Sequence, residues 1–164
     1  MATYVPASSV TYTNETFKNN ANIVSIDLKN TPFSTSLANS FYLCTNLTTV
    51  ENINFDNQTS LYLTFGICRR LTTVPEIPNS ITNMASAFFS CSNLVNTPNI
   101  PSSVTNLTYT FYSCRNLSTP PVIPDSVVDA SFFIESCPQF FNESLYPNIP
   151  NSVQRLDGMY STMA

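Results

Sequence analysis

The chain has 164 residues and is 43% apolar, enough to bury the core of one ordinary domain and too apolar for a disordered tail. Six basic and ten acidic residues leave a net charge of −4, which excludes the electrostatic footprint of a nucleic-acid or anionic-membrane binder. Histidine is absent and glycine occurs only at Gly66 and Gly158, which removes the commonest general base and any glycine-rich phosphate loop.

The first residues, Met1-Ala-Thr-Tyr-Val-Pro6, have neither the basic start nor the apolar stretch of a secretory signal. No apolar run approaches the roughly 18–20 residues of a membrane span. Pro6-Ala-Ser-Ser-Val10 opens a unit with Thr13, Phe17 and Asn20 in its next slots, and Ile23-Val-Ser-Ile-Asp-Leu28 reads as a strand. The next unit is anchored at Ser34, passes through Phe41-Tyr-Leu-Cys44-Thr-Asn-Leu47, and ends in a second strand, Val50-Glu-Asn-Ile53. The frame returns at Gln58 with Phe65-Gly-Ile-Cys68-Arg-Arg-Leu71, and at Ile81 with Phe88-Phe-Ser-Cys91-Ser-Asn-Leu94. It returns again at Val104 with Phe111-Tyr-Ser-Cys114-Arg-Asn-Leu117, and at Val127 with the looser Ile134-Glu-Ser-Cys137-Pro-Gln-Phe140. Val153, Leu156, Tyr160 and Met163 close the series after three extra residues, assigned to a bulged loop within Phe141–Pro147.

The cysteine spacings are 24, 23, 23 and 23, a period that marks a stacked repeat. Within a unit, Val104, Leu107, Phe111 and Cys114 lie at i, i+3, i+7 and i+10, which predicts a helix of about three turns. The serine before each anchor, as at Ser80, Ser103 and Ser126, is its expected cap. The stretch after each cysteine carries Pro75, Pro98, Pro120 and Pro121, so strands there are expected to be ragged and two to four residues long. The proline-free early copies are expected to make the best strands. The few apolar side chains of one unit cannot offset the ordering of 23 backbones, so a unit folds only against its neighbours. The expected fold is an α/β repeat solenoid, with short parallel strands on one side and short helices on the other. It forms a single domain over 1–164, with about six repeats of 23–26 residues and a partial terminal repeat.

The segment Ile81-Thr-Asn-Met-Ala-Ser-Ala-Phe-Phe-Ser-Cys-Ser-Asn-Leu94 resembles the BspA-like leucine-rich repeat family. So do the recurring Pro-x-Ser-Val/Ile and Phe-x-x-Cys-x-x-Leu words. The resemblance implies a right-handed leucine-rich superhelix. It also implies an adhesion or protein-binding role, on bacterial and protist surfaces or in phage proteins. Two features depart from the family pattern: more proline in the strand segment, and no signal peptide.

Five cysteines at one repeat position admit three readings: a buried small apolar slot shared with Asn20 and Met163, stacked disulfides, or a metal string. Asp125 and Asp129 read as a capping residue and a helix-start charge. Glu51, Asp56 and Glu76 read as solvated. Arg69, Arg70 and Arg115 read as compensation of helix C-termini, or as an anion- or partner-contacting spot. Tyr12, Tyr42, Tyr62, Tyr109, Tyr112 and Tyr160 are expected to be partly exposed. The outward residues of the extended stretch, Thr73, Glu76, Asn96, Asn99, Thr119 and Val122, form the candidate binding face. No nucleophile–base pair is apparent, so the chain is read as non-catalytic, without cofactor or metal. The expected partner is a protein or glycan, not nucleic acid and not a membrane interior. A structural subunit of a virion or a head-to-tail filament is the alternative, because no polar capping unit is evident in the sequence. An extracellular surface or a virion is the favoured location.

Overall fold

A computed structural model describes residues 12–29, 31–33, 35–141 and 148–158. Val10, Ser34, Tyr160, Met163 and most of the loop expected at Phe141–Pro147 lie outside the described residues. The chain runs as a stack of coils, each lying on the next, and the repeat read from the sequence is the repeat of the fold.

The expected helices are absent: among the described residues there is no α-helix, only a 3-10 turn at Pro138–Phe141. Each expected helix is instead a run of overlapping turns. Ser40 N–H bonds to Leu37 O, Tyr42 to Asn39, Cys44 to Phe41 and Leu47 to Cys44, at 3.0–3.1 Å. Two residues four apart in each run have left-handed backbone: Glu15 and Asn19, Asn39 and Leu43, Leu63 and Ile67, Ser86 and Ser90, Tyr109 and Ser113, Phe132 and Ser136. A right-handed helix cannot contain them. They rotate alternate amides out of the turn and along the stack. Leu63, Phe65 and Ile67 thus donate to the carbonyls of Ala85, Ala87 and Phe89 in the next coil, at 3.2, 2.9 and 2.6 Å. Ser86, Phe88 and Ser90 do the same to Thr108, Thr110 and Tyr112. The left-handed residues therefore convert local turns into inter-coil bonds, which an α-helix would have kept to itself.

The turns are led in by a different residue from the one expected. Asn83, Asn106 and Asp129 accept, through side-chain oxygens, the N–H two residues on, at 2.9–3.0 Å. The hydroxyls of Ser103 and Ser126, expected as caps, instead donate to Ile81 O and Val104 O in the preceding coil, both at 2.6 Å. Gln58 sits where the later coils place Ile or Val, yet is buried. Its amide oxygen accepts Leu37 N–H at 2.8 Å and its nitrogen reaches Thr35 O, so the polar group is satisfied.

The core is a set of columns. Leu61, Phe65, Cys68 and Leu71 of one coil lie on Met84, Phe88, Cys91 and Leu94 of the next, all buried. Phe17, Phe41, Phe65, Phe88 and Phe111 stack with centroids 5.2–5.5 Å apart and planes within 8°. The column ends where the sequence loosens. Ile134 takes the phenylalanine place, and the ring moves to Phe133, tilted 57° against Phe111.

On the opposite side β1 (Ser25–Asp27) pairs in parallel with β2 (Thr49–Glu51), with Ile26 on Val50. These are the two proline-free segments, and the proline-bearing copies form no strand among the described residues. There the inward residues Ile77, Ile100 and Ile123 are still buried.

Candidate binding surface

Thr73, Asn96 and Thr119 are one row of the repeat frame, and Glu76, Asn99 and Val122 are a second, so the six residues cross three successive coils. All six are exposed, and Val122 is 81% exposed. The buried Ile77, Ile100 and Ile123 hold this stretch down from beneath, while Pro75, Pro98 and Pro120 fix its φ angles from within. Thr119 Oγ1 accepts Thr97 N–H at 3.2 Å, tying adjacent coils together across the face. Glu76 is its only charged member. Beside Val122 a depression of about 230 Å³ runs from Pro120 and Pro121 to Asn148 and Pro150.

The cysteines settle into the first of their three readings. All five are buried and unbridged. Their thiols donate to the phenylalanine carbonyls of the preceding coil: Cys44 to Phe17, Cys68 to Phe41, Cys91 to Phe65, Cys114 to Phe88 and Cys137 to Phe111, at 2.9–3.2 Å. Burial pushes the Cys44 thiol up to about 11 and the Cys137 thiol up to about 12, and raises the three between them well above the ordinary value. None offers a thiolate at neutral pH. Asn20 has the equivalent backbone place in the first described coil, but it is exposed.

Asp129 is a turn former, not a helix cap. Burial opposes its ionisation, but hydrogen bonds from Ser131, the charge of Arg155 3.5 Å away and the Thr108 hydroxyl outweigh it and hold its carboxyl below the usual value. Asp27 is held low by the Asn52 amide at 2.8 Å and by Lys29 N–H. Glu51, Asp56 and Glu76 are exposed, as expected. Arg69, Arg70 and Arg115 are exposed too, but there is no helix end for them to compensate. Tyr62 is 44% exposed and Tyr42, Tyr109 and Tyr112 are half-buried, whereas Tyr12 is buried against Phe17 and Phe33 at 5.0 and 5.3 Å. Tyr160 is outside the described residues. The sequence reading missed the stacking of Phe89 on Tyr112 and of Tyr109 on Phe132, at 5.1 and 4.6 Å. The 23-residue spacing of each pair was the available signal.

The BspA type leucine rich repeat region matches this chain in six copies, over residues 3–62 and 53–153. The chain belongs to the BspA-type leucine-rich repeat family. Its fold is that of solved leucine-rich repeat proteins. It is similar to a leucine-rich repeat protein of T. pallidum (TM-score 0.69, 19% identity), covering 96% of this chain and 76% of that one. It is also similar to a leucine-rich cell surface protein of Faecalibacterium prausnitzii (TM-score 0.64, 23% identity; 97% of this chain, 44% of that one). A leucine-rich repeat protein of Bacteroides ovatus matches at TM-score 0.64 and 17% identity, over 92% of this chain and 46% of that one. The chain thus spans less than half the length of the latter two. No curated protein sequence matches. As a BspA-type array the chain is a leucine-rich repeat module. No helix among the described residues is long and apolar enough to cross a membrane.

Proposed function

We propose that this BspA-type array is a recognition module that binds a protein or glycan through the Thr73, Glu76, Asn96, Asn99, Thr119 and Val122 face. The observation that carries the reading is the presentation of these side chains. They are outward, nearly uncharged, repeated in two rows, and set on backbone stiffened by proline. Such a face offers hydrogen bonds and one apolar contact rather than charge steering. An extracellular surface or a virion is the setting that fits. The Faecalibacterium relative in fold is described as a cell surface protein. The test is a glycan array and a panel of purified surface proteins, probed with the chain and with its N96R/N99R variant. Binding lost in the variant, with unchanged melting, supports the reading. Binding that is indifferent to the variant removes it.

A second reading, a subunit stacked head to tail in a virion or filament, draws on the polarity of the turn ladder. Each turn run gives its amides to the following coil and offers its carbonyls to the preceding one. Light scattering across a concentration series decides it, since a monomer at every concentration is incompatible with stacking.

A further inference from the structure

Three of the chain's six cations stand just after ladder cysteines, Arg69 and Arg70 after Cys68 and Arg115 after Cys114, and with no α-helix among the described residues they lack the end-of-helix role the sequence suggested. Arg69, Ser92 and Arg115 hold the same place in three successive coils. With coils repeating near 5.5 Å, the two arginine backbones stand about 11 Å apart with Ser92 between them. Ser90 and Ser113 form the adjoining column. Their left-handed backbones are held by N–H bonds to Tyr112 O and Glu135 O, both 2.8 Å. These five residues line an open depression of about 270 Å³. Among the described residues the ion pairs are Lys18–Glu15 and Arg155–Asp129, so neither arginine of the depression has a carboxylate partner.

The geometry points to a binding site for a tetrahedral oxyanion monoester, a sulfate or phosphate ester on a sugar-sized carrier. Every charged group in the depression is a pure donor, and the Ser90 and Ser113 hydroxyls can donate beside them, whereas that of Ser92 already donates to Arg69 O at 3.4 Å, so the complementary ligand is rich in acceptors. Two arginines in alternate coils, with serines between them, can engage several oxygens of one tetrahedral centre at once. Two charges on a chain of net charge −4 suit one such group and repel an extended polyanion. The depression lies outside the two rows proposed above as the recognition face, and the inference does not depend on that reading.

The test is an amide-resolved NMR titration at low ionic strength with glucose 6-sulfate, glucose 6-phosphate and glucose, on the native chain and on R69Q/R115Q. At least one ester should give saturable shifts at Ser90, Ser92 and Ser113. Glucose should give none. The double variant should bind at least tenfold more weakly with unchanged melting, and R115Q alone should weaken it partway. The tighter of the two esters names the anionic group. Absence of saturable shifts from both esters, or equal affinity in R69Q/R115Q, overturns the site. The charge-neutral N96A/N99A should leave the titration unchanged, so the two proposals fail separately.

Discussion

The thiol of Cys91 donates to the carbonyl of Phe65 at 3.1 Å, and that same carbonyl accepts the N–H of Cys68 at 3.1 Å. One oxygen therefore closes a turn in its own coil and pins the coil that follows. The arrangement recurs at Phe17, Phe41, Phe88 and Phe111. It gives the repeated cysteine a reason beyond its small size, since alanine has no donor for the second lone pair. Cys91→Ala should cost about 1–3 kcal/mol, the lost bond plus the small void. Cys91→Ser keeps a donor and should restore part of the loss. Denaturant unfolding of the three proteins measures it, and an alanine variant as stable as the parent would discard this role.

The same burial makes the array alkali-sensitive. An unfolded thiol titrates near the ordinary value of 9.0, whereas folded Cys44 titrates at about 11 and Cys137 at about 12. Above pH 9 the unfolded chain releases protons that the folded chain retains, so stability falls as pH rises. The stabilisation is fully present below the unfolded value and is lost up to the folded one, a window of about 9 to 12. Each thiol contributes a slope of up to about 1.4 kcal/mol per pH unit within it. Thermal melting under reductant should be flat with respect to these groups from pH 6 to 8 and fall steeply from 9 to 11. A Cys44→Ala/Cys137→Ala variant should show a shallower fall.

Ile67 is a branched residue held at φ 62°, where a branched side chain is strained. Ile67→Asn keeps the N–H that bonds Phe89 O at 2.6 Å and lowers the backbone cost. The variant should gain about 1 kcal/mol, less whatever its half-buried side chain contributes. A lower melting temperature for Ile67→Asn would show that packing, not backbone strain, governs this position.

The two glycines differ in kind. At Gly66 an added Cβ would meet the tips of Leu63 and Tyr42 at 3.0 Å, and flexible side chains can yield. At Gly158 φ is +61° and a Cβ would fall 2.2 Å from the Phe132 ring. Gly158→Ala should therefore be the more damaging change, about 2 kcal/mol or more, from strain and lost packing. Gly66→Ala should cost about 1 kcal/mol or less. Hydrogen exchange at Phe132 N–H, which bonds Asp157 O at 2.7 Å, reports the first effect directly.

The stack was legible because its inward residues recur at a fixed interval, and buried columns force like upon like. Phe65, Phe88 and Phe111 could be aligned by counting alone. The turns were not legible. The 3-4-3 spacing of Val104, Leu107, Phe111 and Cys114 fits a helical stripe and a string of turns equally well. The left-handed positions hold Leu43, Ser86, Tyr109 and Phe132, none of them the glycine that flags such backbone. The outward rows at Thr73 and Glu76 followed from register. Register also offered Arg69, Arg70 and Arg115 as an anion-contacting spot, but not the depression that gathers Arg69, Ser92 and Arg115, because that depends on which flank of the turn each residue occupies once turns replace the helix.

Turn-run amides point up the stack, whereas Thr82, Thr105 and Val128 on the lead-in give theirs downward, to Thr59, Thr82 and Thr105. The described laps between Thr59 and Val128 thus repeat one bonding pattern, amides of the turn run upward and amides of the lead-in downward. Duplicating one such block would lengthen the array by a lap on the same bonding pattern, so its length follows copy number.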